Sequence, residues 1–141
     1  MNRILLASHG RLAAGMKDTL ELLVGKNDRI ETLCAYVDDD SRDVARLIDT
    51  WDARRDPEDW WIVVTDVFGG SVNNEFLARS ASDSFALVAG MNVSLLAELA
   101  VTLDVLDDAA LDRAVEGCRA QIQRCRPTTM LTTEAGGDED F

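Results

Sequence analysis

Four short β-prone runs, mostly apolar, punctuate this 141-residue chain, and each gives way to a polar turn and then to a helix-like segment. The runs are residues 3–7, 30–37, 60–65 and 85–89. Apolar side chains in the strongest runs do not alternate with polar ones, which is typical of strands buried on both faces of a sheet. The pattern predicts an α/β fold with a mostly parallel sheet between two layers of helices.

The segments between and after the runs have helical periodicity, in the ranges 12–23, 44–51, 72–81, 94–103 and 107–126. In the first helix the inner face is predicted to consist of Leu12, Met16, Leu20 and Leu23. Gly25 is placed to end that helix, and residues 38–41 supply cap residues for the second. Pro127 is predicted to end the fifth helix.

The carboxyl-terminal residues differ in character from the rest of the chain. Residues 128–133 are β-prone and are predicted to form an antiparallel edge strand, either on this sheet or exchanged onto the sheet of a partner. Residues 134–141 are acidic and are predicted to be a disordered tail. The domain is therefore expected to span residues 1–133.

Charge and amino-terminal composition limit the possible partners and location. With 26 acidic against 14 basic residues, the chain has a formal net charge of −12, which opposes binding to nucleic acid or to anionic lipid. The surplus carboxylates suit a basic protein partner, or they serve solubility alone. The first apolar run is too short for a signal sequence or a membrane span, so a cytoplasmic protein is expected.

The cysteines and the acidic run 38–40 do not form a metal-binding pattern. The three cysteines, at positions 34, 118 and 125, lack paired spacing, and we interpret them as reduced thiols. The acidic run has no histidine or cysteine partner in a ligand pattern, so its residues are interpreted as solvated caps. No metal or other cofactor is expected.

His9 and Asp66 are the candidate reactive pair. In a doubly wound sheet of strand order 2-1-3-4, ligands bind outside the carboxyl ends of the strands, between strands one and three. His9, the only histidine, follows the first strand, and Asp66 follows the third. A carboxylate that accepts Nδ1–H would leave the Nε2 lone pair outward as a nucleophile. The alternative role for Asp66 is a cap for the following helix.

Two glycine-containing turns adjoin this pair. Gly10 leaves room for a partner to approach the imidazole. The sequence Gly69-Gly70-Ser71 precedes a predicted helix, whose free N–H groups and dipole favour an anion such as a phosphoryl group. A flexible cap would have the same sequence. The turn is neither a P-loop, which also needs lysine, nor a dinucleotide fingerprint.

Three motifs together resemble a known family. They are Ser8-His9-Gly10 after the first strand, residues 65–74 after the third, and residues 89–92 after the fourth. The chain resembles, from Met1 to about Arg126, the mannose-family enzyme IIA domain of sugar phosphotransferase systems. That resemblance implies the doubly wound fold predicted above.

The resemblance also implies the chemistry and the partners. It makes His9 the residue that accepts a phosphoryl group from phosphohistidine on HPr and donates it to the IIB component, and it makes Asp66 the residue that orients the ring. The resemblance further implies uptake of a mannose-class sugar, indirect membrane association through a IIC/IID permease, and a homodimer that exchanges its last strand. Phosphoryl or partner contacts are expected at Gly10, Arg11, Phe68, Gly69, Gly70, Ser71 and Asn92.

Some observations qualify this identification or keep alternatives open. The family usually has proline where this chain has Val72 and Ser94, which is expected to loosen those loops slightly. A receiver domain phosphorylated at Asp66 would need acidic residues where Ser8 and His9 stand. No nucleotide fingerprint or serine hydrolase elbow is present to favour a flavodoxin-like module or a hydrolase. A regulatory phosphohistidine protein that does not feed a permease remains an alternative.

Overall fold

A computed structural model describes residues 1–82 and 84–128. The strands in this part of the chain are β1 (Asn2–His9), β2 (Ile30–Ala35), β3 (Trp60–Thr65) and β4 (Phe85–Ala89). The α-helices are α1 (Leu12–Val24), α2 (Val44–Arg54), α3 (Ser71–Arg79), α4 (Val93–Val101) and α5 (Asp108–Arg119). Short 3-10 turns occupy Asp40–Arg42, Ser80–Ser82 and Leu103–Val105.

The four strands form one sheet of order β2-β1-β3-β4, and every pairing is parallel. The predicted strand order is confirmed. In the register, Ala7 of β1 lies opposite Thr65 of β3, and His9 lies opposite Ala35 of β2. The carboxyl ends of the three strands therefore meet at the same edge of the sheet, which is where a doubly wound fold places its site.

Two hydrophobic cores explain why the strands are apolar throughout. Ile4 and Leu6 of β1 belong to the core beneath α1, α4 and α5. Leu5 and Ala7, which alternate with them, belong to the core beneath α2 and α3. Successive side chains of a strand point to opposite faces, so a strand between two helical layers buries all of them. The prediction of helices on both faces is confirmed.

An aromatic cluster fills the core beneath α2 and α3. Trp51 contacts Trp61, Phe76 and Phe85 edge to face, with ring centroids 5.3, 5.8 and 6.0 Å away. This arrangement directs the positive edge of one ring at the negative face of another. The guanidinium of Arg55 lies over the Trp51 ring at 5.0 Å and covers the cluster on its outer side.

The buried face of α1 differs from the prediction by a shift along the helix. The core-facing residues are Ala13, Met16, Leu20 and Val24. Leu12, in contrast, is 47% exposed. The reason lies in the turn before the helix, where the Ser8 hydroxyl accepts the Ala13 N–H at 2.8 Å and fixes Ala13 toward the sheet.

The cap of α2 also differs from the prediction. Asp43 is the N-cap, and its side chain accepts the Arg46 N–H at 3.2 Å. Residues 38–41 instead form a separate turn, in which Asp38 accepts the N–H of Ser41 at 2.8 Å. That bond lowers the pKa of Asp38. Two other helices match the prediction within two residues at each end, since α3 begins at Ser71 and α4 begins at Val93.

Helix α5 ends at Arg119, so the predicted extension to Arg126 is wrong, as is the role of Pro127 as its stop. Residues 119–128 are all exposed, and a helix without an apolar contact face has little to hold it together. Pro127 and Thr128 have helical backbone. Of the predicted strand 128–133, only Thr128 is described, and it is not in a strand; residues 129–133 and the tail at 134–141 lie outside the described residues. No helix in the described ranges is long and apolar enough to cross a membrane.

The two phenylalanines Phe76 and Phe68 provide a test of the aromatic core. Phe76 is fully buried in it, and Phe68 is 85% exposed. Phe76→Ala should reduce the free energy of unfolding by about 3–5 kcal/mol, because it opens a cavity among rings that cannot close it. Phe68→Ala, the matched control, should change it by less than about 0.5 kcal/mol. Urea unfolding measures both, and similar losses would contradict the described packing.

Candidate active site

The fold brings His9 and Asp66 together at the carboxyl edge of the sheet. His9 is the last residue of β1, and Asp66 directly follows β3, the neighbouring strand. The His9 side chain is 41% exposed and the Asp66 side chain only 10%. The imidazole is therefore open to solvent, while the carboxylate behind it is largely buried.

Asp66 accepts three N–H groups. One oxygen accepts both the backbone N–H and the Nδ1–H of His9, each at 2.8 Å. The other oxygen accepts the backbone N–H of Val67 at 3.0 Å. Asp66 does not cap helix α3, whose N-cap is Gly70, so the alternative role as a cap receives no support from the geometry.

These hydrogen bonds determine the ionisation state of Asp66. Burial by itself would raise the pKa of the carboxyl, but the two hydrogen bonds and the charge of His9 outweigh burial and lower its pKa below the usual value. An ionised carboxylate only accepts hydrogen bonds, so Nδ1 of His9 carries a proton. The lone pair of the neutral ring is then on Nε2.

Nε2 faces the hydroxyl of Ser71, which in turn contacts the hydroxyl of Tyr36. Ser71 Oγ lies 3.2 Å from Nε2, and the Tyr36 hydroxyl lies 2.9 Å from Ser71 Oγ. The Tyr36 ring stacks on the imidazole with a centroid separation of 5.3 Å and an interplanar angle of 15°. The imidazole is thus held at both nitrogens and on one face.

Gly70 fits closely against the imidazole and the preceding turn. A β-carbon at this position would lie 3.2 Å from His9 Cε1 and 2.7 Å from Val67 Cγ1. The backbone of Gly70 has φ −73° and ψ 166°, which other residues adopt easily, so only space demands glycine here. Gly69 is different, because its φ of +80° favours glycine conformationally.

The first turn of α3 points unpaired donors toward the site. The backbone N–H groups of residues 71–73 have no acceptor within the described ranges. Together with the positive end of the helix dipole, such groups bind anions. The turn before the helix is fixed from below, since the buried Asn73 side chain donates to Thr65 Oγ1 at 2.9 Å and accepts from Gly69 N–H at 3.4 Å.

Three other predicted site residues, Gly10, Arg11 and Phe68, make no hydrogen bond to the His9 ring among the described residues. Gly10 follows His9, with φ +60° and its N–H bonded to the Ala35 carbonyl at 2.7 Å. Arg11 is exposed, and its charge acts on Asp38; no hydrogen bond joins it to His9 in the described part of the chain. Phe68 extends from the turn into solvent.

Asn92 is the N-cap of helix α4. Its side chain caps α4 by accepting the Leu95 N–H at 2.9 Å, and it donates to the Gly90 carbonyl at 3.2 Å. The N–H groups of Gly90 and Met91 both bond to the Thr65 carbonyl, which ties this loop to the end of β3. Asn92 makes no contact with His9 among the described hydrogen bonds.

Sequence reasoning missed Tyr36. Residues 30–37 were predicted to be one strand, but β2 ends at Ala35 and Tyr36 has φ +62°. A left-handed tyrosine is not visible in hydrophobic periodicity. Ser41 holds this conformation, because its backbone carbonyl accepts the Tyr36 N–H at 2.9 Å and its hydroxyl accepts the Val37 N–H at 2.9 Å, and the sequence carries no signal for these bonds.

The lowered pKa of Asp66 predicts a pH dependence of stability. The contribution of such a group is present above its unfolded-state pKa of about 4 and is lost as the pH falls through its lower folded-state pKa. Below about pH 5, the unfolding free energy of the wild type should therefore fall more steeply than that of Asp66→Asn. Urea unfolding at successive pH values measures this difference.

The matched control is Asp18→Asn, because Asp18 is exposed on α1 and has no hydrogen bond within the described ranges. Its curve should run parallel to that of the wild type. If Asp66→Asn also runs parallel to the wild type, the hydrogen bonds to the carboxylate do not stabilise its ionised form.

Comparison with known families and structures identifies the family of this chain. The family profile EIIA-man, described as the PTS system fructose IIA component, matches residues 3–116. A search of curated proteins gave no match. Eleven chains of solved structures match, and three of them are described below.

A structure from Klebsiella pneumoniae subsp. pneumoniae MGH 78578 is provisionally described as a phosphoenolpyruvate-dependent sugar phosphotransferase system (PTS) permease. It is 35% identical with a TM-score of 0.83, over 91% of this chain and 93% of that chain. The PTS IIA protein associated with the fucose utilization operon of Streptococcus pneumoniae is 30% identical with a TM-score of 0.69, over 87% and 92%.

The mannose/sorbose-specific IIA subunit from Enterococcus faecalis is 21% identical with a TM-score of 0.69, over 89% of this chain and 95% of that chain, and supports the fold alone. The profile match covers most of the chain, and the first two structures are similar over nearly their whole lengths. The chain therefore belongs to the EIIA-man family, the IIA components of sugar phosphotransferase systems.

Proposed function

We propose that this IIA component accepts a phosphoryl group on Nε2 of His9 from phosphohistidine on HPr and passes it to a IIB component. The observation that carries the proposal is the Asp66–His9 hydrogen bond of 2.8 Å at Nδ1, which in the neutral imidazole places the lone pair on Nε2. A nitrogen with a free lone pair needs no general base before it attacks phosphorus.

The reaction balances without a proton transfer at the start. The bond from phosphorus to the donor's imidazole nitrogen breaks as the bond from phosphorus to His9 Nε2 forms, and the donor nitrogen keeps the electron pair. The His9 ring gains positive charge as the new bond forms, and the ionised Asp66 at Nδ1 compensates it. Transfer to IIB is the same exchange in the opposite direction.

Charge on the moving phosphoryl group is stabilised by α3. The transition state is loose, with negative charge spread over the phosphoryl oxygens, so positioned donors supply most of the catalysis. The N–H groups of residues 71–73 and the hydroxyl of Ser71 are those donors. Gly70 allows the helix terminus to approach the ring closely, because a β-carbon there would meet His9 Cε1.

Asp66 is a poor phosphoryl acceptor in comparison. Both of its oxygens already accept N–H groups, and its side chain is only 10% exposed. This arrangement favours His9 over Asp66 as the acceptor and so disfavours the receiver-like alternative.

The surface around His9 suits a protein partner. Tyr36, which stacks on the imidazole, has an exposed apolar ring. Leu12, Val67 and Phe68, which follow His9 or Asp66 within three residues, are exposed apolar side chains as well. Such a rim gives a docking protein apolar area around a polar centre. The net charge of −12 favours partners with basic docking surfaces. We assign this rim, including Phe68, to HPr and IIB docking.

The remaining parts of the proposal follow the family. We propose a cytoplasmic homodimer that serves a mannose-class sugar and meets the membrane only through a IIC/IID permease. An exchanged carboxyl-terminal strand would add to β4, which is an edge strand of the described sheet. The domain would then span residues 1–133, with residues 134–141 as a tail.

The direct test is phosphorylation with phosphoenolpyruvate, enzyme I and HPr. The wild type should gain one acid-labile, alkali-stable phosphoryl group per chain, and His9→Ala should gain none. The labelled protein should then transfer the group to a IIB component of its own system. Labelling of His9→Ala would refute the site, and failure to transfer to any IIB component would refute the carrier role in favour of regulation.

Asp66→Asn tests the orienting carboxylate. The asparagine side chain has one oxygen that can accept and one nitrogen that cannot. It can therefore accept either the Val67 N–H or the two His9 N–H groups, but its amide nitrogen would face the other donors. Losing a charge-assisted hydrogen bond worth about 1.5–3 kcal/mol should slow phosphoryl acceptance by about 10–100-fold. Asp18→Asn is the control, and an unchanged rate in Asp66→Asn would show that the carboxylate does not orient His9.

A further inference from the structure

We propose that Tyr36 is a positioning residue for this reaction, whose hydroxyl anchors Ser71 so that the Ser71 hydroxyl is held at Nε2 of His9. The inference rests on the proposed function for its kinetic consequence, but the anchoring itself is a property of the resting protein. It adds to the site a residue that makes no direct hydrogen bond to the imidazole.

The three groups form a chain with only one consistent direction. In the neutral ring with its proton on Nδ1, Nε2 has a lone pair and accepts, so the Ser71 hydroxyl at 3.2 Å donates. Having used its proton, Ser71 Oγ can only accept from the Tyr36 hydroxyl at 2.9 Å. The order is therefore Tyr36 to Ser71 to His9. Without the tyrosine hydroxyl, the Ser71 side chain can adopt other rotamers, in which its hydroxyl no longer contacts Nε2.

The backbone around Tyr36 is organised to hold this side chain in place. Its φ of +62° lies in the left-handed region, which is unfavourable for a residue with a β-carbon. Buried Ser41 holds the conformation, because its carbonyl accepts the Tyr36 N–H and its hydroxyl accepts the N–H groups of Val37 and Asp38. A left-handed residue supported in this way turns the chain back over the end of β1 and stacks the ring on His9.

The chain of hydroxyls also suits the phosphorylated state. When phosphorus bonds to Nε2, the lone pair that Ser71 had contacted is consumed. The Ser71 hydroxyl then donates to a phosphoryl oxygen instead, while its oxygen still accepts from Tyr36. The donor is thus already beside the reacting nitrogen and does not need to be recruited.

Four variants separate positioning from a general structural role. Tyr36→Phe keeps the stacked ring and removes only the hydroxyl, Ser71→Ala removes the group that it anchors, and the third variant combines both changes. Ser80→Ala is the control, because among the described residues the hydroxyl of that serine bonds only within its own turn, to the Leu77 carbonyl at 2.7 Å. Phosphoryl acceptance from phospho-HPr is measured for each as kcat and KM.

Tyr36→Phe should lower kcat by about 3–10-fold with little change in KM, since one neutral hydrogen bond is lost after docking. Ser71→Ala should lower it at least as much, and the double variant should be no slower than Ser71→Ala. That non-additivity is the signature of a residue acting through another. Additive losses would overturn the proposal, and so would a loss confined to KM.

A second measurement does not depend on phosphorylation. His9 is the only histidine, so the ¹⁵N resonances of its ring identify it without ambiguity. In unphosphorylated Tyr36→Phe and Ser71→Ala, the Nε2 resonance should move toward that of a nitrogen without a hydrogen bond, while Nδ1 stays unchanged. An Nε2 resonance that moves in Ser71→Ala but not in Tyr36→Phe would refute the anchoring. If Nε2 moves in both but the wild type accepts no phosphoryl group, the anchoring stands and the proposed function fails.

Discussion

The carboxylate of Asp66 receives both N–H groups of His9, and the chemistry of this site depends on that interaction. One oxygen binds the backbone and the ring of the same residue, each at 2.8 Å. The ring therefore cannot rotate without breaking its hydrogen bond to this oxygen, and the backbone bond to the same oxygen fixes the end of β1. Tautomer, orientation and strand end are set together, and Nε2 is directed to the exposed side.

The fold supplies this interaction through strand register. Parallel pairing of β1 with β3 places Ala7 opposite Thr65, so His9 at the end of β1 and Asp66 directly after β3 lie at the same edge of the sheet. Two cores, one on each face, keep these strands in place, and the aromatic cluster around Trp51 stabilises one of them. The turn after β3 then begins α3, whose free N–H groups face the same ring. The nucleophile on β1 and the anion site at the start of α3 therefore meet because β3 pairs with β1.

Much of this organisation is predictable from the sequence because it rests on burial. Residues 60–65 and 85–89 are predicted to be strands, with the same bounds as in the structure. Short apolar runs that contain aromatic and β-branched residues are typical of buried strands. The neighbouring positions of His9 and Asp66 follow from strand order. The end of α5 and the backbone of Tyr36 are not predictable from the sequence in this way. The helical pattern continues past Arg119, but no core contacts it there.

Tyr36 shows a different limit. Its left-handed backbone depends on a serine five residues further along, whose hydroxyl and carbonyl act on several N–H groups at once. Neither residue has a distinctive period or spacing. The sequence therefore predicts Tyr36 to lie at the end of a strand and Ser41 to lie in an acidic turn. Side-chain hydrogen bonds of this kind compete with secondary structure and are resolved only in the folded chain.

The most direct measurement is to determine which ring nitrogen of His9 carries phosphorus. Because the chain has one histidine, ¹⁵N labelling of the imidazole and detection of its coupling to ³¹P give a single unambiguous signal. The account predicts coupling at Nε2, with the proton retained on Nδ1 against Asp66. Coupling at Nδ1 would contradict it, because phosphorus cannot occupy the nitrogen that the carboxylate holds.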